Sequence, residues 1–268
     1  MTDSTGRENR ARQNKDAERA FFDELADTGA RFAPRPAGEY EAVFNALGIG
    51  RDLTGMRVLE AGCATGDFGI LLAGRGAEVT GVDLSEGMIE LNSRLNASVP
   101  GYSARAGDLE DPGLFGEGAF DAVACFNVLH HFPDIGAVVA NFARWLSPDG
   151  AVWAEEPNGS NPVNRLSKAL RGAVKLVSPG TLHRRKLSSL NEERDYTMAE
   201  YRALFAAHGF VCERETSLTV ADDAAESKRG LDAAISLVKR SLYAATGRVF
   251  SDPMARGQYL AFVMRRGG

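Results

Sequence analysis

The chain carries little that could staple it, anchor it or draw it to a polyanion. Only three cysteines occur in 268 residues, at Cys63, Cys125 and Cys212. An odd, scattered trio cannot build a disulfide framework, so a buried core must supply stability, and free thiols suit a reducing compartment. No apolar run approaches the roughly 20 residues that span a bilayer. The N-terminal MTDSTGRENRARQNKDAER is polar and lacks the apolar segment of a secretory signal. A cytoplasmic protein with no transmembrane segment is therefore expected. Positive charge is not in excess either: 31 Lys and Arg against 36 Asp and Glu leave a formal charge of −5, so global charge does not suggest a nucleic-acid partner. No internal repeat occurs. What is present is a 44% hydrophobic chain, long enough for one large α/β domain with a buried core.

Periodicity organises the chain. Residues 1 to 13 are expected to be disordered, being short, polar and terminal. NKDAERAFFDELAD and GEYEAVFNALGI have amphipathic helical spacing, joined by the proline-punctuated RFAPRP. Strands are expected near 56–61, 78–82, 102–106, 121–126 and 150–155, alternating with helices, with later strands near 210–219 and 258–265. Such alternation implies a doubly wound α/β fold, a parallel sheet with helices on both faces. The division expected is an N-terminal tail with cap helices over 1–50 and the main domain over 51–268, with cap insertions at about 157–196 and 222–256. Both insertions exceed the handful of residues such connections normally need.

The most informative segment is RVLEAGCATGDF at 57 to 68. An apolar run passes through Glu60 into a turn with Gly62, Ala64 and Gly66, and the helical FGILLAG follows. Small residues let backbone approach a ligand closely, and the helix start offers unpaired N–H groups and positive dipole. A second strand, AEVTGVDLS, brings Asp83 about 20 residues later, where such folds bind a ribose. A dinucleotide fingerprint would need G-x-G-x-x-G. Here the third glycine comes one residue early and Asp67 follows, a carboxylate unwelcome beside a pyrophosphate but tolerable beside an amino-acid-bearing nucleoside. A purely structural glycine turn would use the same residue types.

Further segments follow in order. E-x-G-C-A-T-G, Asp83-Leu84-Ser85 with Met88, Gly107-Asp108-Leu109, FDAVACFNVLHHFPD at 120–134 and LSPDGAVWAEEPN at 146–158 together resemble the motifs of class I S-adenosylmethionine-dependent methyltransferases, most like the ubiquinone-biosynthesis-type and natural-product enzymes that methylate small molecules. The resemblance covers roughly residues 56 to 158, extends loosely through YTMAEYRALFAAHGF, and departs at Ala64, where a glycine is commonest. It implies a seven-stranded, mostly parallel Rossmann-like sheet whose last strand is inserted antiparallel, S-adenosylmethionine as donor and S-adenosylhomocysteine as product. By the same resemblance Glu60 reaches the donor's amino group and Asp83 takes the ribose hydroxyls. Leu84 and Met88 flank adenine, Asp108 accepts from its amino group and the Leu109 N–H meets the ring. Gly62, Ala64, Gly66 and Asn127 complete the donor set. Phe22 and Tyr40 are placed over the methionine moiety, although aromatics at helical spacing are commonly core.

Methyl transfer is direct displacement, accelerated chiefly by holding donor and acceptor in line. A hydroxyl or ammonium acceptor also needs a base near neutral pKa. His130 and His131, just past the strand facing the methyl group, are candidates; packed or hydrogen-bonded turn residues are the plainer alternative. Glu156, at the end of the next strand, is expected to face the same cleft and to position or deprotonate substrate, or else to be a solvated strand-end carboxylate. No metal site is expected: His130, His131, Glu155 and Glu156 lack diagnostic spacing, and adjacent strand residues point to opposite faces.

In the first insertion an apolar stripe runs beside Arg165, Lys168, Arg171 and Lys175, and His183-Arg184-Arg185-Lys186 follows the Pro179-Gly180 turn. This is either a solvated helix face or a site for an anionic partner, with Arg184, Arg185 and Lys186 binding substrate. The expected acceptor is thus a small molecule, anionic under the second alternative. Other readings are a carrier-bound or lipid-like acceptor, a donor-binding regulatory module without turnover, and a nicotinamide oxidoreductase. Nothing in the sequence sets the oligomeric state.

Overall fold

The computed structural model describes residues 4–29, 37–132, 134–166, 194–219 and 252–267. Helices α1 (Ser4–Asp27) and α2 (Ala37–Leu47) precede an alternating series: β1 (Arg57–Ala61), α3 (Gly69–Ala73), β2 (Glu78–Asp83), α4 (Glu86–Asn96), β3 (Tyr102–Ala106), β4 (Phe120–Phe126), α5 (Ile135–Trp145) and β5 (Leu146–Pro157). Helix α6 (Met198–Ala206), β6 (Phe210–Leu218), the short α7 (Pro253–Arg256) and β7 (Tyr259–Arg266) complete it. Helix α1 begins at Ser4, so residues 4–13, expected to be disordered, are helical, and residues 1–3 lie outside the described residues. RENRARQNKDAER is rich in good helix formers and contains no glycine or proline, and it extends the amphipathic segment backwards.

The seven strands form one sheet in the order β3-β2-β1-β4-β5-β7-β6. Strands β1 to β5 pair in parallel, and β7 inserts antiparallel to β5 and β6. Each expected strand lies where its apolar run places it, although β5 starts earlier, at Leu146. Its Ser-Pro-Asp-Gly stretch is taken up as a register shift, with Phe120 opposite Leu146 but Ala122 opposite Ala151. The central strands read as continuous apolar runs because helices cover both faces. Alternate residues supply two cores: Leu59, Val123 and Val152 join Phe142, Trp145 and Phe205 on one side, while Val58, Ala122 and Trp153 join Phe44 and Leu72 on the other.

Strand order reverses between β1 and β4, and their loops part at the carboxyl ends to open a crevice. Helix α1 crosses that end of the sheet and packs on α4. Asp23 Oδ1 accepts from Ser85 Oγ at 2.5 Å and from the Gly87 N–H at 3.0 Å, anchoring α1 to the start of α4. On the far side, three asparagines bind the segment after β5 to the one before β7. Asn158 Nδ2 donates to Met254 and Gly257 carbonyls, Asn161 Nδ2 to those of Ala255, Arg256 and Gly257, and Asn164 Nδ2 to that of Gln258. The stem of the first insertion and the exit of the second are thereby fastened together. Most of both insertions, including Arg184, Arg185 and Lys186, lies outside the described residues. No described helix is long and apolar enough to cross a membrane.

Candidate active site

The glycine turn takes its shape from three left-handed residues. Gly62 has φ +63°, and a Cβ there would sit 2.2 Å from Val128 Cγ2, so both conformation and space demand glycine. Ala64, at φ +40°, carries strain that glycine would not. Its N–H donates to Asp83 Oδ2 at 2.9 Å, while Asp83 Oδ1 accepts from the Ser85 N–H at 3.0 Å. Asp83 thus ties the turn to the first residues of α4. From α4, Asn92 Nδ2 donates to the Ala64 carbonyl and Asn96 Nδ2 to that of Thr65, each at 2.8 Å.

These loops enclose a cavity of about 450 Å³. Glu60, Gly62, Ala64, Asp83, Leu84, Asp108, Leu109 and Asn127 all line it, as do Phe22 and Tyr40 from the two N-terminal helices and both His130 and His131. Two residues of the expected donor set do not. Gly66 is turned away, because a Cβ on it would meet Tyr102 Oη at 2.5 Å and the amides of Asn92 and Asn96; it serves close packing of the turn on α4. Met88 lies fully buried behind the wall with Ala26 and Leu91, where α1 packs on α4.

Glu60 is the least solvated carboxylate on the wall, 4% exposed. Its Oε1 accepts from the Gly69 N–H at 2.8 Å and its Oε2 from Tyr102 Oη at 3.2 Å. Burial, only partly offset by those bonds, pushes its pKa up to about 8. No cation stands among the described groups that perturb it. Burial likewise raises Asp83, against the two backbone N–H groups that favour its charged form. Beside Glu60 the cavity is aromatic: Phe68 and Phe126 stack with centroids 3.8 Å apart, and Tyr40 meets Phe68 edge-on at 4.8 Å.

Helix α1 covers the cavity through polar contacts that its sequence did not announce. Lys15 Nζ lies 2.8 Å from Asp108 Oδ2 and also pairs with Glu110. Burial pulls the Lys15 pKa down, but its hydrogen bonds to the two carboxylates outweigh this and raise it. Glu18 Oε1 is 3.0 Å from His131 Nδ1, and Arg19 Nε donates to the Leu84 carbonyl at 3.4 Å. Their only signal was a polar face on a helix already assigned to cover the site. Asn92 and Asn96 were missed too; two asparagines one turn apart on a helix, poor helix formers both, were the available hint.

The turn after β4 corrects one expectation. Asn127 adopts φ +58°, its N–H donates to the Glu155 carbonyl at 2.7 Å, and a single 3₁₀ turn, Leu129–His131, follows. Glu156 was expected to face the cleft or solvent. It does neither: it is fully buried and not part of the cavity wall. By strand alternation it shares the face of Val152 and Ala154, directly beneath the turn. Its Oε1 accepts from the N–H groups of Val128 and Leu129 at 2.9 and 2.7 Å, and its Oε2 is 2.7 Å from His130 Nδ1. Among the described residues no three His, Cys, Asp or Glu side chains converge to hold a metal ion.

A strand-turn-helix cradle at the switch point, three strand-end acids and a cavity between them define a nucleoside-binding α/β domain of the methyltransferase type. The methyltransferase domain family matches residues 16–212. The chain belongs to that family, whose class I, S-adenosylmethionine-dependent form its motifs resemble. It is 34% identical over 137 residues to the ubiquinone biosynthesis O-methyltransferase of Xanthomonas oryzae pv. oryzae, covering 49% of this chain and 56% of that one. It is 41% identical over 97 residues to the magnesium-protoporphyrin O-methyltransferase of Rhodobacter capsulatus, covering 35% and 42%. The chain thus spans about half the length of these curated relatives. The phosphoethanolamine N-methyltransferase 2 of Haemonchus contortus, solved with phosphomonomethylethanolamine and S-adenosylhomocysteine, superposes with a TM-score of 0.64 at 17% identity, covering 89% of this chain and 54% of that one. At that identity the likeness shows the fold alone.

Proposed function

We propose that this protein transfers a methyl group from S-adenosylmethionine to an oxygen or nitrogen of a small-molecule acceptor. The observation that carries the reading is Glu60: a nearly buried carboxylate on the cavity wall, its pKa pushed up to about 8 by burial with no cation among the described groups that perturb it. A ligand with a cationic amino group suits such a site. In this reading Glu60 holds the donor's amino group, Asp83 its ribose hydroxyls and Asp108 its adenine amino group. Leu84 and Leu109 flank the ring, and Phe22 and Tyr40 cover the methionine end. Lys15 and the other α1 contacts hold the cover closed and keep water out. When bound, S-adenosylmethionine supplies a methyl carbon on a sulfonium, electrophilic because the departing sulfur takes the bonding pair. The chain's own part is to orient the acceptor lone pair toward that carbon and to accept a proton where the acceptor is a hydroxyl or ammonium. His130 and His131 stand on the wall for that task. The relatives' O-methyltransferase names favour an oxygen acceptor. Three free cysteines, two of them buried, are compatible with work in the cytoplasm.

Calorimetric titration with S-adenosylhomocysteine and, separately, with NAD tests the reading. S-adenosylhomocysteine should bind and NAD should not. The reverse result would place the protein with the nicotinamide oxidoreductases. Binding without any methylated product, in a mass-shift screen against candidate metabolites, would leave a regulatory module.

A further inference from the structure

The mechanism gives no task to Glu156, a buried ionisable group beside the site. Glu156 is fully buried, where a carboxylate is costly unless its lone pairs are used. Among the described residues its side-chain hydrogen bonds all go to one short turn: the N–H groups of Val128 and Leu129 on Oε1, and His130 Nδ1 on Oε2. No side chain caps that 3₁₀ turn from within, and the turn is entered through the left-handed Asn127. Glu156 therefore holds the backbone of the turn and the ring of His130 together, from outside the cavity. The neighbouring ring is held differently. His131 Nδ1 contacts Glu18 on the covering helix, so its orientation depends on α1.

Resting on the methyltransferase reading, we propose that His130 is the proton acceptor of the reaction and Glu156 its positioning residue. The carboxylate only accepts hydrogen bonds, so the proton of neutral His130 resides on Nδ1, which leaves Nε2 as the basic nitrogen of a ring whose residue lines the cavity. An acceptor hydroxyl would form its new bond to the methyl carbon as the methyl–sulfur bond breaks and its pair passes to sulfur, and would release its proton to Nε2. Glu156 stabilises the resulting imidazolium until the proton passes to water. His131 belongs to the latch that closes α1.

The tautomer is directly observable. Long-range proton–nitrogen NMR on protein labelled with ¹⁵N-histidine, with His130→Asn to assign the signal, should show neutral His130 protonated at Nδ1. Glu156→Gln is the decisive variant. Its amide oxygen can still accept from Val128 and Leu129, but its NH₂ must donate to Nδ1. The ring proton should then move to Nε2, which closes off the basic nitrogen. S-adenosylhomocysteine affinity should stay within about threefold of the parent, because the change touches no proposed donor contact. Observation of Nε2–H in the parent, or an unchanged Nδ1–H tautomer in Glu156→Gln, would overturn the assignment. A parent protein that shows the expected tautomer but does not bind S-adenosylhomocysteine would overturn the methyltransferase reading and the base role together. A purely structural Glu156 would leave turnover of a hydroxyl acceptor unchanged in Glu156→Gln even though the ring proton moves.

Discussion

Donor binding should expel a proton from Glu60. In the folded protein its pKa is pushed up to about 8 from an ordinary 4.5, burial being the largest cause. At pH 7, one unit below that value, about nine in ten molecules carry the proton. A cationic amino group placed beside the carboxylate favours its charged form, so binding of S-adenosylhomocysteine at pH 7 should release close to one proton. Between pH 6 and 8 the Kd should fall by up to about tenfold per pH unit, or ~1.4 kcal/mol, and level off above. The assay is isothermal calorimetry in phosphate and in Tris: the difference in apparent enthalpy, divided by the difference in buffer ionisation enthalpy, counts the protons. Glu60→Gln should bring the count near zero and flatten the pH profile. The ligand-free protein should show the opposite linkage. A carboxyl whose folded pKa is raised binds more protons folded than unfolded, so its contribution to stability is complete below about pH 4.5 and declines as pH rises through about 8. No proton release from the parent, or equal release from the glutamine variant, would refute the placement of Glu60 opposite the donor's amino group.

Three further outcomes are expected. Asp83→Ala should weaken S-adenosylhomocysteine binding more than Asp108→Ala, since bonds to a charged group are worth ~1.5–3 kcal/mol each and Asp83 is assigned two; unchanged affinity in either would displace the motif assignment. Asn161→Ala removes the donor shared by the carbonyls of Ala255, Arg256 and Gly257 and the acceptor for the Val163 N–H. It should cost about 1–3 kcal/mol in denaturant midpoints, with the donor's Kd little altered. Replacing Arg184, Arg185 and Lys186 together by Gln should raise the acceptor's KM and remove most of its salt dependence if they grip an anion. An unaltered KM at low salt would leave them as a solvated face.

Local rules carried most of the architecture. Runs such as RVLEA and FDAVACF are apolar and short between glycine or proline punctuation, which is how strands buried on both faces read. The glycine turn and the distance to Asp83 are properties of one contiguous unit, so Gly62, Ala64 and Asp83 fell on the cavity wall where the motifs put them. Gly66 and Met88 belong to the same unit yet line nothing. Their neighbours, Tyr102 for one and Ala26 for the other, come from distant parts of the chain. Glu156 shows the limit most plainly. Alternation along β5 says that Glu155 and Glu156 face opposite sides, but which side holds the cavity and which the turn after β4 depends on how β4 pairs with β5. Likewise Lys15 and Glu18 are ordinary polar residues on a surface helix until α1 folds over Asp108 and His131. Strand and turn propensities act within a few residues, whereas the direction of a side chain and its partner are settled by pairing and packing across the chain, and those contacts set the chemistry of this site.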